Sequence, residues 1–145
     1  MRFLSIYKNV EKDGPPPPEL VAEMGKLIED SMKKGELLST EGCLPSAKGA
    51  RVRLSNGKVT VTDGPFTEAK EVVGGFAILN AKSKEDAIEM AKHFLKVAGD
   101  GECEIRQIAE PGDFGPEYTD VLADIEKTQR TYAAPQVQQP RAESR

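Results

Sequence analysis

Between residues 51 and 62 two alternating runs, RVRLS and KVTVT, are separated by Asn56-Gly57 alone. Asn-Gly suits a type I′ turn, whose two central residues both need positive φ and whose twist matches that of the strands it joins. Closing that turn fixes the register. Leu54 falls opposite Val59 and Val52 opposite Val61, while Arg51 and Arg53 meet Thr62 and Thr60 on the other face. Because strand side chains alternate, one face of this ribbon is expected to be buried and the other wet. Any architecture for the rest of the chain must accommodate this hairpin.

The flanking segments supply two strand–helix–strand halves. RFLSIYK (2–8) reads as a first strand, and EKDGPPPP as a stiff break from which Pro18 opens a helix. Leu20, Met24, Leu27, Ile28 and Met32 then form one helical stripe, and Lys33, Lys34 and Gly35 give a basic last turn and a glycine stop. Residues 36–44 read as a second strand and 45–49 as a turn before the hairpin. Residues 72–80 form a fifth strand, after which Ser83 caps a second helix, with Asp86 three positions on. Ala87, Ile88, Ala91, Phe94, Leu95 and Ala98 line that helix's inner face, and residues 102–109 alternate Cys103 and Ile105 against Glu104 and Arg106 as a sixth strand. The order β-α-β-(β-hairpin)-β-α-β defines an α+β chain, a ferredoxin-like sandwich with a hairpin inserted at its middle.

This domain is expected over residues 1–110. Composition then shifts. PGDFGPEY is turn-rich, and Tyr118, Val121, Leu122 and Ile125 make a short helical stripe, so residues 111–132 read as a C-terminal arm. Residues 133–145 carry almost no apolar side chains and are expected to be a disordered tail.

At 145 residues with a net charge of −4, the chain has no basic field to attract nucleic acid, and direct nucleic-acid binding is not expected. Nothing in it resembles a signal peptide or reaches the length of a membrane span, so a cytoplasmic protein without membrane contact is expected. Cys43 and Cys103 stand sixty positions apart and read as reduced, buried thiols. The single histidine, His93, falls on the polar flank of the second helix, so no metal site is expected. There is no P-loop, GxGxxG or GxSxG, and no cofactor is expected.

The candidate site is DGPFTEAKEVVGGF, residues 63–76. Asp63 can close an Asx-type turn, Gly64 gives backbone freedom before Pro65, and Phe66 can anchor in the core, which accounts for the tetrapeptide as a structural turn. The same stretch brings Glu68, Lys70 and Glu71 close to Asp63, ahead of a strand containing Gly74 and Gly75. Glycines inside a strand mark a bulge, a close backbone approach or the floor of a cavity. In a functional reading Asp63 or Glu41 serves as a base, while Tyr7, Phe66, Glu68, Lys70, Glu71, Gly74, Gly75 and Arg51 shape a ligand pocket. A small-molecule-binding domain without turnover and a small lyase or isomerase acting on a hydroxylated or carboxylated catabolite both remain open.

TDGPFTEAKEVVGGFAIL resembles the signature of the DGPF-domain proteins of the YCII-related superfamily. MRFLSIYK, KKGELLSTEGCLP, SKEDAIEMAK and ECEIRQI extend the likeness to about residue 110. The resemblance implies a bacterial, homodimeric α+β barrel in which two ferredoxin-like sheets pack face to face and enclose pockets. Relatives include a dehydrochlorinase branch, and the better-studied members use a His–Asp pair. The first helix here contains no histidine, so that pair does not carry over. Gene neighbourhood in the family implies a third function, a protein-interaction module associated with sigma factors.

Overall fold

The structure is a computed structural model that describes residues 1–133. The chain divides into two compact units, Met1–Ile108 and Ala109–Arg145. In the first, β1 (Arg2–Asn9), β2 (Leu37–Gly42), β5 (Val72–Asn80) and β6 (Glu102–Gln107) form one sheet in the order β2-β5-β1-β6, with every neighbouring pair antiparallel. Helix α1 (Pro18–Lys33) carries the chain from β1 past β5 to β2, and α2 (Lys84–Ala98) carries it from β5 past β1 to β6. These are two interleaved β-α-β units, the ferredoxin-like arrangement expected of the sequence.

Local signals explain where the elements begin and end. Pro18 occupies the first turn of α1, where a missing N–H costs nothing, and Gly35 follows the helix with a φ of +72°. Ser83 caps α2 by accepting from the Asp86 N–H at 3.1 Å. The Asp86 carboxylate reaches back to the Lys82 N–H at 3.0 Å, one residue earlier than a standard capping box.

The core lies between the helices and one sheet face. Phe3 is 1% exposed and packs with Leu37, Leu79, Ala81 and Ala87, with Ile28, Met90 and Ile105 around them. Strand alternation sends Leu4 and Ile6, with their cross-strand partners Ile78 and Phe76, to the opposite face. Neither helix of residues 1–108 lies on that face, and its side chains are half-buried.

The hairpin is a separate two-stranded sheet, β3 (Ala50–Ser55) with β4 (Lys58–Asp63). Asn56 and Gly57 take φ of 51° and 75°, and the expected pairs Leu54–Val59, Val52–Val61, Arg53–Thr60 and Arg51–Thr62 all form. The expected burial does not. Val52, Leu54, Val59 and Val61 are 71%, 70%, 60% and 63% exposed, as open as the polar face behind them. The ribbon pairs with no strand of the larger sheet, and these exposures leave its apolar face uncovered among the described residues.

Two further expectations are corrected. Cys43 is exposed, because β2 stops at Gly42 and leaves it on the loop, while Cys103 is half-buried; both thiols are free. Phe66 is half-buried beneath a guanidinium rather than set in the core. In the second unit, 3-10 turns at Pro111–Asp113 and Pro116–Tyr118 lead into α3 (Thr119–Ala133), whose Val121 and Ile125 are exposed. The disordered tail expected from residue 133 onwards lies, apart from Ala133 at the end of α3, outside the described residues. Among the described residues no helix is long and apolar enough to cross a membrane.

Candidate functional site

The DGPF turn is built around its glycine. The Gly64 N–H donates to the Gly49 carbonyl at 3.0 Å, closing the hairpin base, and a Cβ on Gly64 would stand 1.7 Å from the Ser46 carbonyl oxygen. Only glycine lets the two loops approach so closely. The Gly64–Pro65 peptide bond is cis.

Ser46, in a short 3-10 turn at Ser46–Lys48, joins three loops. Its N–H and its hydroxyl both donate to the Glu11 carboxylate, and its Oγ accepts the Phe66 N–H at 3.1 Å. Glu11 comes from the proline-rich loop after β1, so one carboxylate fastens that loop and the β2–β3 passage, and through Ser46 the DGPF turn. Ser46 is buried while Glu11 is exposed and Phe66 half-buried, so these bonds are partly shielded from water.

Next to this clasp opens a cleft of about 670 Å³. Lys8, Lys48 and Arg51 bring three cations to it, and Phe66, Leu44 and Val73 give it apolar walls. Glu71 and Cys43 complete the rim. The Arg51 guanidinium lies 3.9 Å above the centre of the Phe66 ring and is paired with the Glu68 carboxylate, so it is both stacked and oriented. The Lys8 ammonium bonds Glu104 on β6 at 3.0 Å; that bond, and then the charge of Glu104, raises the Lys8 pKa and holds Glu104 below the usual carboxylate range. Glu68 is also lowered, first by a hydrogen bond to its own backbone and then by Arg51.

The strand glycines follow Val72 and Val73 of the cleft lining and act on its neighbouring backbone. Tyr7 pairs with Gly75 and Lys8 with Val73, which leaves Gly74 as the extra residue of a bulge. The freed Gly74 carbonyl accepts the Cys43 N–H at 2.9 Å and so anchors the loop that enters the cleft. At Gly75 a Cβ would lie 2.7 Å from the Glu41 carbonyl oxygen, so β2 and β5 meet there without a side chain between them.

Of the residues singled out in the sequence, the cleft gathers Arg51, Phe66 and Glu71, with Glu68 one ion pair away. Asp63 is exposed at the end of β4, and its carboxylate makes no hydrogen bond among the described residues; Lys70 and Glu41 are exposed and line no part of the cleft. Tyr7 points to the helix side, its ring edge-on to Phe94 at 5.1 Å and its hydroxyl donating to the Asp100 carbonyl at 3.1 Å. Burial pushes the Tyr7 phenol up. Gly74 and Gly75 act through backbone.

Sequence reasoning passed over Lys8, Glu11, Ser46 and Lys48. The one signal for them is Pro45-Ser46 directly after a strand, a turn pattern with no partner visible in sequence. Among the described residues no group of three or more His, Cys, Asp or Glu side chains could hold a metal ion.

An antiparallel β2-β5-β1-β6 sheet with both helices on one face, an inserted hairpin and a cationic cleft beside a DGPF turn defines the class: a ferredoxin-like α+β domain. The chain belongs to the YCII-related domain family, whose model matches residues 1–111. It is 31% identical over 98 residues to an uncharacterised protein of Rhizobium meliloti, a match spanning 66% of this chain and 76% of that protein. Among solved structures it is similar to the 5-chloro-2-hydroxyhydroquinone dehydrochlorinase of Burkholderia phenoliruptrix in complex with 2,5-dihydroxybenzoquinone. That likeness has 15% identity and a TM-score of 0.41, covering 76% of this chain and 95% of that one.

Proposed function

We propose that this chain is a homodimeric small-molecule-binding domain of the DGPF type, taking a small hydroxylated or carboxylated ligand in the cleft beside the DGPF turn. The observation that carries this reading is the convergence of Lys8, Lys48 and Arg51 with Phe66 and Leu44 on one cleft of about 670 Å³. That volume lies inside the range of roughly 300–1,000 Å³ typical of ligand sites, and the lining combines apolar walls with a few placed charges. A guanidinium stacked on an aromatic ring, with two ammonium groups on the same cleft, suits a small ligand bearing anionic or phenolic oxygens.

Binding without turnover is favoured over a lyase by what the cleft lacks. A carboxylate base working at neutral pH needs a dry pocket that raises its pKa. Glu71, the carboxylate on the rim, is exposed, and the one histidine, His93, is exposed on α2 away from the cleft. The homodimer is supported by the open sheet face, where Leu4, Ile6, Phe76 and Ile78 occupy positions that a water-facing sheet gives to polar residues.

A thermal-shift screen of hydroxylated aromatics, lactones and small dicarboxylates tests the proposal, with affinities then measured on wild type, Lys48→Met and Asp63→Asn. Compounds that stabilise wild type should bind Lys48→Met at least about tenfold more weakly, the scale of one lost charge-assisted hydrogen bond, and bind Asp63→Asn unchanged. A screen without a single stabilising compound, or full affinity in Lys48→Met, would refute a ligand site in this cleft. Loss in Asp63→Asn alone would move the site to the turn itself.

A further inference from the structure

We infer that the cleft takes a small hydroxy-monocarboxylate, its carboxylate on Lys48 and its hydroxyl donating to Glu71. This inference rests on the ligand site proposed above and adds the charge and the polarity of what fills it.

Most of the charge lining the cleft is already matched. Lys8 is bonded to Glu104 at 3.0 Å, and Arg51 is paired with Glu68. Lys48 and Glu71 line the same cleft, and neither makes a hydrogen bond or ion pair among the described residues. A bound anion therefore gains most at Lys48, because at Lys8 or Arg51 it shares the cation with a carboxylate already in place. Arg51 is still useful to it. A guanidinium has five N–H donors, and its bond to Glu68 leaves others open on the cleft.

The two unmatched charges come from different walls. Lys48 ends the Ser46–Lys48 turn, next to the hairpin base. Glu71 immediately precedes β5, whose Val73 pairs with Lys8 on β1, and its charge acts on the Lys8 ammonium. This placement excludes two alternatives. A second carboxylate on the ligand would approach a wall that holds Glu71 and, bonded to Lys8, Glu104, and would be repelled by both. A ligand ammonium offered to Glu71 would stand beside Lys8, with two more cations on the same lining. A neutral hydroxyl meets neither objection, since it donates to the carboxylate and adds no charge of its own. Leu44 and Phe66 leave the body of the ligand apolar.

Titration calorimetry tests this with the three hydroxybenzoates, benzoate, terephthalate and hydroquinone, on wild type, Lys48→Met, Glu71→Leu and Glu71→Gln. Lys48 and Glu71 are exposed, so the variants should fold as wild type does, which their melting temperatures check. One hydroxybenzoate should bind wild type at least about tenfold more tightly than the other three compounds, the scale of a hydrogen bond to a charged group. Lys48→Met should weaken that isomer and benzoate alike, leaving their ratio unchanged. Glu71→Leu should abolish the preference over benzoate, and Glu71→Gln should strengthen terephthalate. A preference that survives Glu71→Leu overturns Glu71 as the acceptor. Terephthalate matching the best hydroxybenzoate on wild type overturns the single anion, and hydroquinone matching it overturns the carboxylate on Lys48. If no hydroxybenzoate binds, the ligand class is overturned, while the cleft reading stands on any other screened compound whose affinity depends on Lys48. A screen without any binder overturns both.

Discussion

At Gly64 the whole side of the residue that would carry a side chain is filled by the Ser46 peptide, 1.7 Å from where a Cβ would sit. Gly75 is similarly blocked by the Glu41 carbonyl at 2.7 Å, whereas a Cβ on Gly25, inside α1, would meet nothing within 4 Å. Three alanine variants should therefore separate. Gly64→Ala and Gly75→Ala force backbone apart and should each lose about 1–3 kcal/mol or more, as overpacked sites do. Gly25→Ala relieves a helix-interior glycine and should gain up to about 1 kcal/mol. Urea unfolding of the three proteins checks the order; equal stabilities for Gly64→Ala and wild type would mean that the turn can open at no cost. This scale also shows what a sequence hides. Asp-Gly-Pro-Phe is legible as a turn from its own four residues, and the structure explains its glycine by contact with Ser46, eighteen positions earlier. Nothing local to Gly64 signals that contact.

Among the elements, the hairpin was the most legible and also the most incompletely read. Asn-Gly and strict alternation gave every cross-strand pair, because register is a local property of turn and period. They could not say what covers the apolar face, since alternation marks a side and is silent about neighbours. The strand glycines were readable as a bulge or a close approach, and the structure contains both, at Gly74 and Gly75 respectively. The clasp of Glu11, Ser46 and Phe66 was not readable, because its three members come from three loops. It makes its own prediction. Ser46→Ala removes the hydroxyl that donates to Glu11 and accepts from Phe66, leaving the half-buried Phe66 N–H without its partner. The loss should be about 1 kcal/mol, the low end for an unsatisfied group because water can partly reach it. Equilibrium unfolding measures it, and a change below about 0.5 kcal/mol, the size of an ordinary surface substitution, would mean that the clasp contributes nothing.

Across the whole molecule the topology was legible because two β-α-β halves admit few arrangements, and the observed sheet order is the ferredoxin-like one. The electrostatic response to pH is a property of the same scale. Glu104, Glu68 and Glu89 each have a folded pKa below the usual carboxylate value: Glu104 because of the Lys8 hydrogen bond and charge, Glu68 because of its own backbone and Arg51, Glu89 because of Lys92. Folding thus favours their ionised forms. Their contribution is fully present above the unfolded value near 4.5 and is lost as pH falls through the lower folded values. Lys8 acts at the other end, with a contribution present below 10.5 and lost as pH rises through its raised folded value. All these groups are solvated, so each effect is modest and weakened by salt. Urea midpoints at pH 7, 4.5 and 3 should fall with pH in wild type and fall less in Glu104→Gln. An unchanged acid limb in that variant would remove the Lys8–Glu104 pair from the account.

The Glu11–Ser46–Phe66 clasp also couples three loops. Its two links join residues 35 and 20 positions apart, between exposed or half-buried loop segments at Glu11 and Phe66, so the cleft rim is expected to open at lower cost than the sheet. Amide exchange in the 43–49 and 64–71 segments should report that opening while the β1–β5 centre stays protected. A ligand seated in the cleft would slow exchange in the 43–49 and 64–71 segments together, since one carboxylate holds both shut.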